Sequence, residues 1–123
     1  MKINTVKKGL LILAIALFAP LALASATQSI ARIVAQMNHF PSAADKMTLM
    51  EISQDSDHSE SIQIIAMAVY NFKHSVSADD KKSLQMIAEN TDSSATEKEL
   101  ASILAGISHT ASAEAKVKLA ALQ

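Results

Sequence analysis

The side chains in this chain best suited to hold a metal ion or move a proton are its histidines, and three of the four keep a fixed interval. His39, His74 and His109 lie thirty-five residues apart, twice in succession. Each is followed by a serine at +3 (Ser42, Ser77, Ser112), an alanine at +4 (Ala43, Ala78, Ala113), a lysine at +7 (Lys46, Lys81, Lys116) and a leucine at +10 (Leu49, Leu84, Leu119). Neutral imidazole is the commonest ligand of transition metals. A zinc ion, however, needs its donors within ~2.0–2.3 Å of one centre. Helical units stacked in a line stand one helix diameter apart, ~10 Å, so histidines on successive units of such a stack cannot share an ion. Each histidine also closes a helical stretch, where an imidazole can bond the last free carbonyls and meet the negative end of the dipole. The sequence therefore assigns His39, His74 and His109 to helix capping.

The second cluster is Asp55-Ser56-Asp57-His58-Ser59-Glu60. Its start has the spacing of a calcium loop, but Glu60 stands at the obligatory glycine and Ala66 at the bidentate glutamate, so the EF-hand reading fails twice. His58 with Asp55, Asp57 and Glu60 remains a candidate weak site for a divalent cation. Against it stands the plainer role of a solvated loop in which Asp57 or Ser59 caps the next helix. Nucleophilic catalysis has no support: there is no G-x-S-x-G, no H-E-x-x-H and no glycine-rich phosphate loop. Residues repeated three times at equivalent positions read as structural, and no catalytic, cofactor-binding or metal-ligating residue is assigned. Met37, Met47, Met50, Met67 and Met86 fall at helical spacing and read first as core filler.

The elements that carry these residues follow from the repeat. A period of this length marks a stacked supersecondary unit, here about 25–59, 60–94 and 95–123. In the first unit Ile30, Val34 and Met37 make one apolar face, with Ala31 and Ala35 beside it; Phe40-Pro41 ends the helix, and Ser42 opens a second one with Asp45 completing a capping box. Ile65, Val69, Phe72 and Ala66 repeat the plan, as do Leu100, Leu104, Ile107 and Ala101. Leu49 and Ile52, Leu84 and Ile87, and Leu119 and Leu122 form the narrow edge of each second helix. First helices are apolar over most of their circumference and belong inside; second helices are one-sided and belong outside. The expected helices are 27–39, 43–53, 60–74, 78–89, 96–109 and 113–122. Gly106 then falls inside the fifth, at a cost of ~1 kcal/mol. The fold class is all-α: three tandem helix-turn-helix repeats, as a short α-solenoid or a compact right-angled stack of helical hairpins. A 35-residue helical hairpin invites comparison with the tetratricopeptide repeat, but the chain lacks its tryptophan, its Leu-Gly and tyrosine positions and its closing proline.

Ahead of the repeats, Lys2, Lys7 and Lys8 precede an apolar run from Gly9 to Leu23, and Ala22-Leu23-Ala24 and Ala24-Ser25-Ala26 are small-residue cleavage sites. That order is a secretory signal peptide over residues 1–26, which places the mature chain in the periplasm or outside the cell, with no membrane insertion after cleavage. The remaining 97 residues hold eight basic and twelve acidic side chains, a net charge of −4, and no cysteine. With three aromatics and no basic patch, a nucleic-acid partner is excluded. The reading is an exported, non-catalytic protein-interaction module with a protein partner. Its alternatives are a periplasmic metal- or stress-related binder using His58 and its acidic neighbours, and a small hydrolase or inhibitor-like accessory. Neither end carries a polar capping repeat, so helix 27–39 or the edge of 113–122 is expected to serve as an association surface, with a possible homodimer.

Overall fold

The computed structural model describes residues 25–123, and these form six helices with no strand. They are α1 (Ala26–Gln36), α2 (Ala43–Gln54), α3 (Glu60–Tyr70), α4 (Ala78–Glu89), α5 (Ala95–Ala105) and α6 (Ala113–Ala121). Apart from Ser25 and Ala26, the leader expected over 1–26 lies outside the described residues. No described helix is long and apolar enough to cross a membrane.

Every helix starts on a serine: Ser25, Ser42, Ser59, Ser77, Ser94 and Ser112 each accept a hydrogen bond from the backbone N–H three residues on. A serine oxygen so placed satisfies one of the donors a helix leaves free at its start. The reciprocal half of the capping box forms at Ser25–Gln28 and Ser94–Glu97. It does not form at Ser42–Asp45 or Ser77–Asp80, where it was expected; aspartate is one methylene shorter than the glutamate the motif uses. Glu97 does more than close its own box. Its Oε1 accepts from the Ser94 N–H at 3.0 Å, and its Oε2 accepts from the Ser59 hydroxyl at 2.6 Å, tying the start of α5 to the start of α3.

The packing is a layer of three inner helices dressed by three outer ones. α1, α3 and α5 all touch one another; α2 lies mainly on α3, α4 on α5, and α6 returns to α1. Ile30, Ile65 and Leu100, then Val34, Val69 and Leu104, then Leu49, Leu84 and Leu119 are all fully buried. Ala31, Ala66 and Ala101 are fully buried too, and their missing side-chain bulk is what lets three helices meet. The outer helices bury far less: Leu49 and Ile52 on α2, Leu84 and Ile87 on α4, Leu119 on α6.

Two expectations change. Of the apolar residues that suggested an uncovered end, Ile30, Ile33, Val34, Met37 and Leu119 are buried and Leu122 is half-buried, because α1 and α6 cover each other within the chain. The inner helices also stop short of the histidines, at Gln36, Tyr70 and Ala105 rather than 39, 74 and 109. Gly106 is consequently not inside a helix but caps α5, at φ −97° and ψ −3°. That conformation is open to any residue, and a Cβ there would meet only the Ile103 and Ser102 carbonyls at 3.7 and 3.9 Å. Gly106→Ala is therefore expected to stabilise the protein by about 0.4–1 kcal/mol through the unfolded chain's lost freedom, measured as a higher urea midpoint at unchanged slope.

Candidate metal centre

The three loops that join inner to outer helices, residues 37–42, 72–77 and 107–112, meet at one end of the molecule. Each is pinned on both sides of its histidine. Two residues before it stand Met37, Phe72 and Ile107, all buried; two residues after it stand Pro41, Val76 and Ala111, also buried. Between these anchors the backbone turns through a left-handed conformation, with φ of 70° at His39, 67° at His74 and 67° at His109. These are the only non-glycine residues with positive φ among those described. Around His109 the Thr110 N–H donates to the Ser108 carbonyl at 2.8 Å, which with that φ has the form of the rare, strained γ-turn.

The turned backbones close a ring. The His39 N–H donates to the His109 carbonyl (2.8 Å), the His74 N–H to the His39 carbonyl (2.6 Å), and the His109 N–H to the His74 carbonyl (2.5 Å). The N–H and C=O groups of three residues thus satisfy one another head to tail, and the imidazoles are carried to a common centre. Their ring centroids stand 5.0, 5.2 and 5.2 Å apart, a nearly equilateral triangle. One donor nitrogen from each ring lies within 4.8 Å of the others. The His74 and His109 Nδ1 atoms are 3.2 Å apart, and those of His109 and His39 are 3.3 Å apart.

This overturns the geometric ground on which the sequence set the histidines aside as ligands. The units do not stand ~10 Å apart in a line where these residues sit; they bend toward one axis. Nor do the imidazoles bond helix carbonyls: the side-chain contacts they make are with one another.

The arrangement has a definite chemical preference. An imidazole Nδ1 offers one in-plane site, either a proton or a lone pair. His109 Nδ1 has two neighbours of its own kind at hydrogen-bond distance, and a single proton can serve only one of them. A cation at the centre serves all three nitrogens at once. A tetrahedron with ~2.0–2.1 Å zinc–nitrogen bonds has edges of about 3.3–3.4 Å, close to the two shortest separations. Three imidazole nitrogens suit zinc, copper, nickel and iron, whereas calcium and magnesium ask for oxygen. His39 is half-buried and His74 and His109 are exposed, so the face of the triangle away from the core is open. The three loops contain no carboxylate.

The other cluster does not assemble. His58 Nε2 lies 3.5 Å from Asp55 Oδ2, and Asp55 Oδ1 accepts from the Asp57 N–H at 2.9 Å, an Asx-type turn. Ser59 caps α3. Among the described residues, the only three side chains whose ligand atoms come together are His39, His74 and His109. What the sequence concealed was the buried position at His+2, present as Pro41, Val76 and Ala111 in the thirty-five-residue register but too varied in type to stand out.

No protein-family model matches the chain, and no curated protein and no solved structure matches it either.

Proposed function

We propose that the protein is an exported helical-repeat protein that binds one first-row transition-metal ion through His39, His74 and His109. The supporting observation is the convergence of three nitrogens, one from each loop, within 4.8 Å of one another, with two of their separations, 3.2 and 3.3 Å, near the edge of a tetrahedral zinc site. In this reading the three hairpin units curl into a closed array rather than an extended solenoid, and each unit contributes one ligand. The repetition that spoke against a site in a linear stack becomes, around an axis, the way a single site is made. The backbone strengthens the case. Left-handed φ costs an ordinary residue roughly 1–2 kcal/mol and glycine almost nothing. Glycine is the residue that takes this conformation without strain, yet the chain places imidazole there three times. Strain concentrated at converging side chains is a mark of function.

The role is binding rather than catalysis. With no carboxylate in the three loops, nothing beside the ion is placed to act as a general base. The test is a competition titration with zinc against a chromophoric chelator. The mature protein takes up one equivalent, and alanine at any one of the three histidines weakens binding by at least about 100-fold, above the 10–100-fold of a lost outer-shell partner. Asp55→Asn and His58→Gln leave the titration unchanged. Zinc uptake that survives His74→Ala, or is lost with His58→Gln, refutes the assignment.

Export enters the same proposal through the leader. Of its two cleavage sites, the one after Ala24 leaves Ser25 as the first residue and preserves the Ser25–Gln28 cap of α1. Cleavage after Ala26 removes that cap and the first residue of the helix. The mature amino terminus is therefore moved from Thr27, the start implied by a leader over 1–26, to Ser25, and intact mass of the exported protein checks it; a Thr27 start counts against it.

A further inference from the structure

We infer that the open coordination position and the cleft beside it take a small organic carboxylate with an aromatic body; this rests on the three histidines holding a metal ion. Three protein nitrogens leave a tetrahedral ion one position for an outside ligand, and the exposure of His74 and His109 puts that position on the open face. The loops of His39 and His74 also border a cleft of about 430 Å³, lined by Phe40, Lys46, Tyr70, Asn71, Phe72 and Lys73. Phe40 directly follows one ligand and Lys73 directly precedes another.

Three residues of this cleft, Phe40, Tyr70 and Lys73, break the repeat, whereas Lys46 belongs to it. Phe40 corresponds to Ser75 and Thr110, Tyr70 to Ala35 and Ala105, and Lys73 to Asn38 and Ser108. All three aromatic residues of the described chain line this one cleft. What is repeated serves the fold and the ion; what is singular gathers beside one edge of the histidine triangle. The chemistry of the lining is cationic and aromatic. Lys46 Nζ sits 5.4 Å from the centre of the Tyr70 ring, Lys73 adds a second ammonium group, and no carboxylate lines the cleft. Glu51 lines an adjoining pocket that shares Lys46 and Tyr70 with the cleft, together with Met47 and Met50. Phe40 is 56% exposed, so its ring offers a free face for stacking. A carboxylate is the group that both a metal ion and two lysines attract, and a planar ring is the body that Phe40 accommodates.

The test uses the mature protein loaded with cobalt(II), whose visible bands report its ligands, titrated with benzoate and with acetate. Benzoate is expected to shift the bands with an affinity at least about tenfold tighter than acetate, equivalent to ~1.4 kcal/mol. Phe40→Ser removes that preference and Lys73→Asn weakens both acids by a similar factor, while both variants, which install residues found at equivalent places in the other units, leave cobalt affinity unchanged. Equal affinities for the two acids, a preference untouched by Phe40→Ser, or affinities untouched by Lys73→Asn overturn the inference and leave the metal site standing. Failure to take up cobalt at all overturns both.

Discussion

Saturating zinc is expected to raise the thermal midpoint of the mature protein by about 10 °C or more, and glycine at His39, His74 or His109 to abolish most of that rise. The three ligands are thirty-five and seventy residues apart along the chain, so the unfolded state offers no assembled site. An ion that binds only the folded form at a concentration of 100 times its Kd adds ~2.7 kcal/mol, and a domain of this size moves ~4–8 °C for each kcal/mol. Glycine is the informative replacement. Without metal it relieves a φ near +70° at the cost of its own greater freedom when unfolded, and the two effects, each about 1 kcal/mol, offset one another. The metal-free variants should therefore melt within a few degrees of the wild type, and the three should behave alike because they hold equivalent places. Differential scanning calorimetry with and without zinc decides the matter. A wild type indifferent to zinc, or glycine variants that melt far below it in the absence of metal, would show that the imidazoles serve the fold and not an ion.

Phe72→Ala is expected to cost about 3–5 kcal/mol, the range for deleting a buried aromatic side chain. Phe72 is 1% exposed and is the largest side chain in the core. It fills the place that Met37 and Ile107 hold in the other units, and it also forms a wall of the cleft beside the histidines. A domain of this size has only some 5–15 kcal/mol in total, so the variant should be at the edge of unfolding at room temperature. Phe40→Ala supplies the contrast: with more than half of its surface already in water, it should change the urea midpoint very little. A loss below about 1 kcal/mol at Phe72 would mean that the surrounding helices collapse into the space, contrary to the tight inner layer.

Much of the architecture was legible in the residues. The thirty-five-residue register located six helices and the serines that start the three outer ones, and the apolar stripes separated inner from outer helices. The centre was not legible, for a specific reason. Spacing along a chain gives the order of units but not the small rotation from each unit to the next, and that rotation decides whether equivalent side chains line an edge or share a point. It is set by how α2 lies on α3, α4 on α5 and α6 on α1, and no single residue encodes it. The left-handed turns were hidden because the sequence shows no glycine there; histidine tolerates that conformation better than most side chains, and its presence read instead as the end of a longer helix. The failure of the Asp45 and Asp80 capping boxes was a matter of one methylene, below what a motif can discriminate.

The head-to-tail ring of backbone hydrogen bonds also orders events in time. One of its links runs from His109 back to His39, seventy residues earlier, and the other two span thirty-five, far more distant pairings than helical hairpins usually need. Loop-closure entropy has to be overcome before such contacts return anything, so this step should come late and set the folding rate. If the chain is exported as proposed, one still emerging from a translocation channel, with its third unit not yet through, holds two imidazoles and no ring. It would pass ions by, and acquire its cargo only once the last loop has arrived.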